Sequence, residues 1–358
     1  MQQNKNKLSG GSRSTPQSDS QALIWIGVGL IALALLVFGL VFFLGKGSDS
    51  SSQTDETSGS KAEQSAAEST LSQAPQSETQ TAKQTAAVTS SSAETTSQTA
   101  KQTDSAQMSV HFIDCGQGDC TLVLSGGEAM LVDCGELDDS NKVINYIKAL
   151  GIKSFKCIVV THPHTDHMGE MTDILKTFKT EKFIMPKVPD SMTPTIMRYE
   201  KMLKQVKAQG LSVTWSSDDT FTLGSAQVKT FTQKQAQEDL NNYSTLVKVT
   251  CAGKSVLITG DCEAAEEKDI MSQGFDLRAD ILKVAHHGSY KGTTYEFLET
   301  VVPKYAVISC GKDNDYGHPH DSTMKRLRKK VANIYITKDN GTVVFDCSAS
   351  GISVKTQR

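Results

Sequence analysis

The hydrophobic–polar pattern divides the chain into three stretches. Residues 22–44 read ALIWIGVGLIALALLVFGLVFFL, 23 consecutive positions without a charge. As a helix this run is long enough to cross a bilayer core of roughly 30 Å. A secretory signal would have a shorter apolar region and a small-x-small cleavage site, and the sequence shows neither. Lys5, Lys7 and Arg13 precede the run and Lys46 follows it. The positive-inside rule therefore makes 1–21 a cytoplasmic tail, 22–44 a single-pass membrane anchor, and the rest of the chain extracytoplasmic. From 45 to 107 the chain is mainly Ser, Thr, Gln, Ala and Glu, without an aromatic residue. Such a stretch cannot bury enough apolar surface to fold, so it is expected to be a disordered linker with an r.m.s. span of about 40–50 Å.

Beyond Met108 the pattern becomes that of a folded domain. Short apolar runs at 108–113, 120–124, 129–133 and 155–160, broken by Gly-rich turns, predict strands. Further strands are expected near 226–231, 245–251, 254–259 and 280–284, and helices near 140–150, 169–178, 193–209 and 263–273. This alternation over 108–358, about 250 residues, fits one α/β domain built as a four-layer αβ/βα sandwich. Seven of the 37 basic and nine of the 40 acidic residues precede Met108, leaving 30 against 31 in the domain. That balance excludes a generally cationic nucleic-acid binder. Eight cysteines without CxxC spacing, several inside apolar runs, are expected to be buried free thiols. An extracytoplasmic location leaves a pair among Cys115, Cys120 and Cys134 open.

The chemistry is concentrated in THPHTDHMGE, residues 161–170, directly after the apolar run 157–160. His162, His164, Asp166 and His167 fall within six positions. Alternate residues of an extended segment point the same way, so His162 and His164 can converge on one ion. The loop then turns, and Asp166 and His167 can face a second. Imidazole and carboxylate donors suit zinc, manganese or iron, and no thiolate pushes the choice toward a closed structural site. A histidine-rich surface loop is the plain alternative, but the other histidines weigh against it. His286 and His287 sit in ILKVAHHGS and His318 and His320 in YGHPH, each after an apolar run, and only His111 lies outside the three clusters. In LITGDCE, Asp261 ends another strand-like run, where a carboxylate can bridge two ions about 3.5–4 Å apart.

These motifs resemble the metallo-β-lactamase superfamily, and within it the hydrolase domain of bacterial DNA-uptake (competence) proteins. The matching stretches are FIDCGQGDCTLV at 112–123, LVDCG at 131–135, THPHTDHMGE, NNYSTLVKV at 241–249, LITGDCE at 257–263, LKVAHHGS at 282–289 and ISCGKDNDYGHPH at 308–320. The resemblance implies an αβ/βα sandwich with a dinuclear site at the strand ends. It implies His162 and His164 on the first metal, Asp166 and His167 on the second, and Asp261 between them. One of His286 or His287 would complete the second site, a choice the sequence leaves open; His287 is favoured as the ligand, with His286 behind it or facing substrate. Asp133, with Asp119 near it, would brace the metal loop. No histidine lies between His167 and His286, so the separate ligand of ordinary lactamases is absent and β-lactam hydrolysis is disfavoured. The uptake proteins often carry an acidic residue where this chain has His164.

The expected cofactors are two divalent metal ions, zinc or manganese. The expected function is a membrane-anchored hydrolase, a phosphodiesterase or nuclease acting on DNA through a hydroxide shared by the metals. Asp166, His286, His318 and His320 are the expected catalytic groups, since imidazole can carry a proton near pH 7. Asn241, Asn242 and Ser289 are expected to contact substrate. Lys325, Arg328 and Lys329, in the basic stretch 324–330, are expected to hold a nucleic-acid backbone. The alternatives are a metallohydrolase for another ester, such as a phosphocholine ester or lactone, and a DNA-binding accessory module in uptake. A conducting channel is excluded, because one span cannot line a pore. Nothing in the sequence points to a protein partner.

Overall fold

A computed structural model describes residues 107–137 and 141–358. The expected tail, membrane anchor and nearly all of the linker lie outside these residues. Among the described residues no helix is long and apolar enough to cross a membrane.

Adjacent residues within single strands account for the layering. Side chains alternate faces along a strand, and a strand buried on both faces reads as a continuous apolar run. Leu122, Leu131 and Ile158 pack outward onto helices, while their neighbours Val123, Val132 and Val159 pack inward. In the second sheet Val247, Ile258 and Val307 face the same inner layer, and Leu246, Leu257 and Ala306 face a second set of helices. Three apolar layers thus separate four structural ones, an αβ/βα sandwich.

The eight-stranded sheet runs Gly351–Thr356, Val343–Ser348, Gln107–Phe112, Thr121–Ser125, Glu128–Val132, Cys157–Val159, Phe183–Met185 and Val213–Trp215 in spatial order. Helices Lys142–Ala149, Met171–Thr177 and Met197–Ala208 cover its outer face through Ile147, Ile174 and Met202 among others. The seven-stranded sheet runs Asn333–Ile336, Tyr305–Ile308, Ile281–Lys283, Lys254–Ile258, Leu246–Cys251, Ala226–Phe231 and Thr220–Leu223. Ala264–Ser272, Tyr295–Val301 and Asp321–Lys330 cover it through Ile270, Phe297 and Leu327. Parallel neighbours sit at the heart of each sheet: Glu128–Val132 with Cys157–Val159 in one, and Lys254–Ile258, Ile281–Lys283 and Tyr305–Ile308 in the other. Their carboxyl ends all open on one edge of the sandwich, where α/β folds place their sites.

Three expected elements differ in detail. The strand near 155–160 divides into Ser154–Phe155 and Cys157–Val159. The helix near 169–178 becomes Thr165–Met168 and Met171–Thr177, because Gly169 is drawn onto the 135–137 turn. Its N–H donates to the Gly135 carbonyl at 2.9 Å, and a Cβ there would overlap Glu136 and Leu137 backbone. The helix near 193–209 starts only at Met197, since Pro194 keeps Thr193 extended. All eight cysteines are buried and free, which answers the open question about Cys115, Cys120 and Cys134.

Candidate metal centre

Every residue of the centre is delivered by a strand end. Asp133 follows Glu128–Val132 with φ 58°, a left-handed turn that folds its carboxylate back over the neighbouring strand. It accepts from the Thr161 N–H and hydroxyl, both at 2.7 Å, and from His167 Nδ1 at 2.8 Å. The bond to Nδ1 turns His167 Nε2 toward Asp261 Oδ1, 3.2 Å away. His287 is held likewise: its Nδ1 bonds the Ser309 carbonyl at 3.0 Å, with the Asp119 carboxylate 3.2 Å away. Its Nε2 then faces Asp166 Oδ2 at 3.1 Å and Asp261 Oδ2 at 3.5 Å. Carboxylate–imidazole pairs of this kind fix the tautomer and aim of metal-binding histidines.

Donor atoms of Asp166, His167, Asp261 and His287 all lie within 4.8 Å of one another. Beside them, His162 Nε2 is 3.0 Å from His164 Nδ1 and 3.9 Å from Asp261 Oδ2. Asp261 therefore stands between the two groups of ligands. His167 Nε2 and Asp261 Oδ1 are buried and, though close, are not aligned as a hydrogen bond, so each lacks a hydrogen-bond partner. Buried polar atoms are normally paired. Orphaned nitrogen and oxygen donors facing one point fit a cation.

Charge tells the same story. Burial resists a proton on His167, yet Asp261, Asp133 and Asp166 hold its imidazole well above the ordinary range. Burial is likewise overcome at His287 by Asp261 and Asp119. For Asp261, His287 and His167 outweigh burial and keep the carboxyl well below its usual range. For Asp166, His167 and His287 do so. Protonated imidazoles here balance carboxylates that a divalent ion would balance instead.

His286 and His287 are consecutive non-glycine residues in the left-handed region, at φ 49° and 52°. Such conformations cost on the order of 1–3 kcal/mol each and concentrate at functional sites. The turn aims the two rings apart. His287 goes to the carboxylate cluster, and His286 goes to Glu263 Oε1, 3.0 Å from its Nδ1. Asn241 Nδ2 at 3.4 Å and Lys291 Nζ at 3.1 Å complete the surroundings of Glu263. His286 Nε2 stays on the cleft side, 3.6 Å from Asp261.

The cleft above the cluster measures 460 Å³, and His164, Asp166, Asn241, His286, His287 and His318 are among the residues lining it. His318 is pushed down to about 4 by burial and by the imidazoles of His287, His286 and His320. His320 turns aside, its Nδ1 accepting from the Tyr290 N–H at 3.1 Å. Asn242 is buried and its Oδ1 accepts from the N–H groups of Glu263 and Glu266 at 3.1 and 3.3 Å. Ser289 is buried, with its hydroxyl on the Lys291 N–H. Neither Asn242 nor Ser289 lines the cleft. Lys325, Arg328 and Lys329 are exposed on Asp321–Lys330 and do not line it either.

Three residues of the site escaped the sequence reading. Glu263 orients His286. Lys283, wholly buried, places Nζ 2.6 Å from Asp119 and so balances the carboxylate behind His287. Gln117 anchors the loop opposite, accepting from the Gly311 N–H at 3.1 Å. A lysine inside the apolar run ILKVA was the one available signal, because a buried lysine needs a partner.

Fold and site together define a hydrolase-type metal centre at the edge of an αβ/βα sandwich. The family model of the metallo-beta-lactamase superfamily matches residues 113–312. The chain belongs to this superfamily, whose fold is that of metal-dependent hydrolases. It is similar to ComE operon protein 3 of Bacillus subtilis, with 30% identity over 261 residues, 67% of this chain and 33% of that protein. It is also similar to a competence protein of Neisseria gonorrhoeae, with 26% identity over 251 residues, 68% and 33% of the two chains. The chain thus spans about a third of the length of these relatives. Among solved structures, the metallo-beta-lactamase fold protein YhfI of Bacillus subtilis aligns with a TM-score of 0.44 and 14% identity over 66% of this chain and 98% of that one.

Proposed function

We propose that the protein is a metal-dependent phosphodiesterase acting on DNA. The observation that carries this reading is the position of Asp261, with one oxygen toward His167 and the other toward His287 and His162. His162 and His164 would hold one ion, Asp166, His167 and His287 the other, with Asp261 shared. Bound ions supply Lewis acidity and a nucleophile at neutral pH, and offset phosphoryl charge. The chain's own groups do the rest. Asp133 and Asp119 hold the His167 and His287 rings by Nδ1. His286, held on Nδ1 by Glu263, presents Nε2 to the cleft, where it can give a proton to the leaving oxygen. Neutral His318 and the Asn241 amide line the cleft and offer hydrogen bonds to the substrate.

The likeness to competence proteins supports nucleic acid as the substrate class. The uncharged run 22–44, with Lys5, Lys7 and Arg13 ahead of it, supports a membrane-anchored enzyme whose hydrolase domain is extracytoplasmic. Protease added to intact cells should then remove the domain, and a domain protected until lysis would refute that placement. The catalytic test is cleavage of labelled single- and double-stranded DNA by the purified full-length chain, with zinc and manganese supplied separately. Metal-dependent cleavage that disappears in Asp261→Ala is expected. Hydrolysis of bis(nitrophenyl) phosphate without DNA cleavage would move the substrate to another phosphoester. Metal binding without turnover of either would favour an accessory role.

A further inference from the structure

One side of the cleft carries aromatic rings that the metal chemistry does not use. Tyr316 is 64% exposed and lies nearly parallel to His318, their centroids 5.5 Å apart at 19°. His318 meets His320 edge-on at 4.9 Å, and His320 meets Tyr290, itself 60% exposed, at 5.1 Å. Four rings thus form a row, Tyr316, His318, His320 and Tyr290, that meets the centre at His318, 6.0 Å from His287 and 5.6 Å from His286, and Tyr316 and His318 line the cleft itself. Met192, Pro194 and Ile196 form an apolar wall of the same cleft. No lysine or arginine is among the described residues lining it.

The loop from Gly311 to His318 is held in place before any ligand arrives. Asn314 Nδ2 donates to the carbonyls of Gly311 and His318, both at 2.9 Å, and its Oδ1 accepts from the His318 N–H at 2.8 Å. Gln117 and Lys338 add bonds at Gly311 and at the His318 carbonyl. A loop backbone fixed this way loses little freedom on binding. Away from the carboxylate–imidazole cluster, this side of the cleft has rings, apolar side chains and no lysine or arginine, which suits a flat neutral group beside the phosphate. On a nucleic-acid strand the flat neutral group is the base, and every base has a face that stacks on an aromatic ring. Bases in a duplex are already stacked and paired, so only an unpaired strand can offer that face.

We infer that this row is a base-stacking subsite that selects single-stranded nucleic acid, with Tyr316 taking the base beside the reacting phosphodiester and Tyr290 a base further along. The inference rests on the phosphodiesterase reading for its substrate and adds strand selection to it. Binding by stacking also depends less on salt than binding by phosphate contacts.

The test is fluorescence anisotropy of a labelled oligothymidylate with the full-length chain in EDTA, where hydrolysis is off. Tyr316→Ala should weaken binding about 5- to 100-fold, the range for one stacked base. Tyr316→Phe, which keeps the ring, should restore it. An abasic strand of equal length should bind the wild-type chain at least as weakly as oligothymidylate binds Tyr316→Ala, and annealing to oligodeoxyadenylate should abolish binding. Unchanged affinity in Tyr316→Ala, equal affinity for abasic and normal strands, or no binding by the wild-type chain would overturn the subsite. Turnover with metal is read separately on the same strands. Tyr316-dependent binding without cleavage would sink the hydrolase reading and leave the subsite standing.

Discussion

In the proposed centre His167 and His287 would serve as metal ligands through Nε2, because Nδ1 of each ring is held from behind, by Asp133 for His167 and by the Ser309 carbonyl beside Asp119 for His287. Asp133→Asn should therefore weaken metal binding by about 10- to 100-fold, as loss of such an outer partner does, while leaving the circular dichroism spectrum intact. Isothermal titration with zinc measures this, and unchanged affinity would contradict the role. His111 makes a different prediction, about stability. It is buried, with Nδ1 2.8 Å from the Tyr146 hydroxyl and Nε2 3.0 Å from Ser109, and burial lowers it from 6.5 to about 4. Between those values the unfolded chain binds a proton that the folded chain refuses. Its effect is absent above the unfolded value, and stability falls as pH drops from about 6.5 toward 4, by at most about 3 kcal/mol. His111→Gln should flatten that fall in urea midpoints taken at pH 7.5 and 5, and an identical slope would refute it. At this scale the residues that the fold gathers at the candidate centre were legible, because their spacing is itself the signal. Glu263 and Lys283 were not, since their partners lie 23 and 164 positions away in sequence and meet them only across the fold.

Ala264–Ser272 carries Ile270 into the outer core and follows directly from Glu263, which orients His286. No side chain of its own caps its first turn, and the Asn242 amide oxygen takes two of the N–H groups there instead. Such orphan donors otherwise go unpaired. Asn242→Ala should cost about 1–2 kcal/mol, the range for a lost cap, and lower the thermal midpoint by several degrees. A midpoint within error of wild type would show that the amide is dispensable. The longer elements were legible because their apolar runs are continuous. Phe183–Met185 and Val213–Trp215 were not foreseen, being three residues each and, in the second case, largely exposed. The break at Gly169 was hidden because it arises from contact with the 135–137 turn rather than from local propensity.

On the scale of the molecule, two sheets lend one edge their strand ends, and no single motif supplies the whole candidate ligand set. His162, His164, Asp166 and His167 come from one sheet, and Asp261, His286 and His287 from the other. The fold class was legible through the order of these motifs more than through periodicity, since a run such as Leu257-Ile258 reads equally as strand or buried helix. The domain's near-even charge agrees with a cleft lined by imidazoles, carboxylates and apolar side chains and by no lysine or arginine among the described residues. The central claim is that Asp261 joins both halves into one two-ion centre. The direct measurement is bound metal per chain together with bis(nitrophenyl) phosphate turnover, in wild type and in Asp261→Ala. Two ions with turnover in the wild type, and loss of both in the variant, is the predicted result. Two ions and undiminished turnover in Asp261→Ala would contradict it.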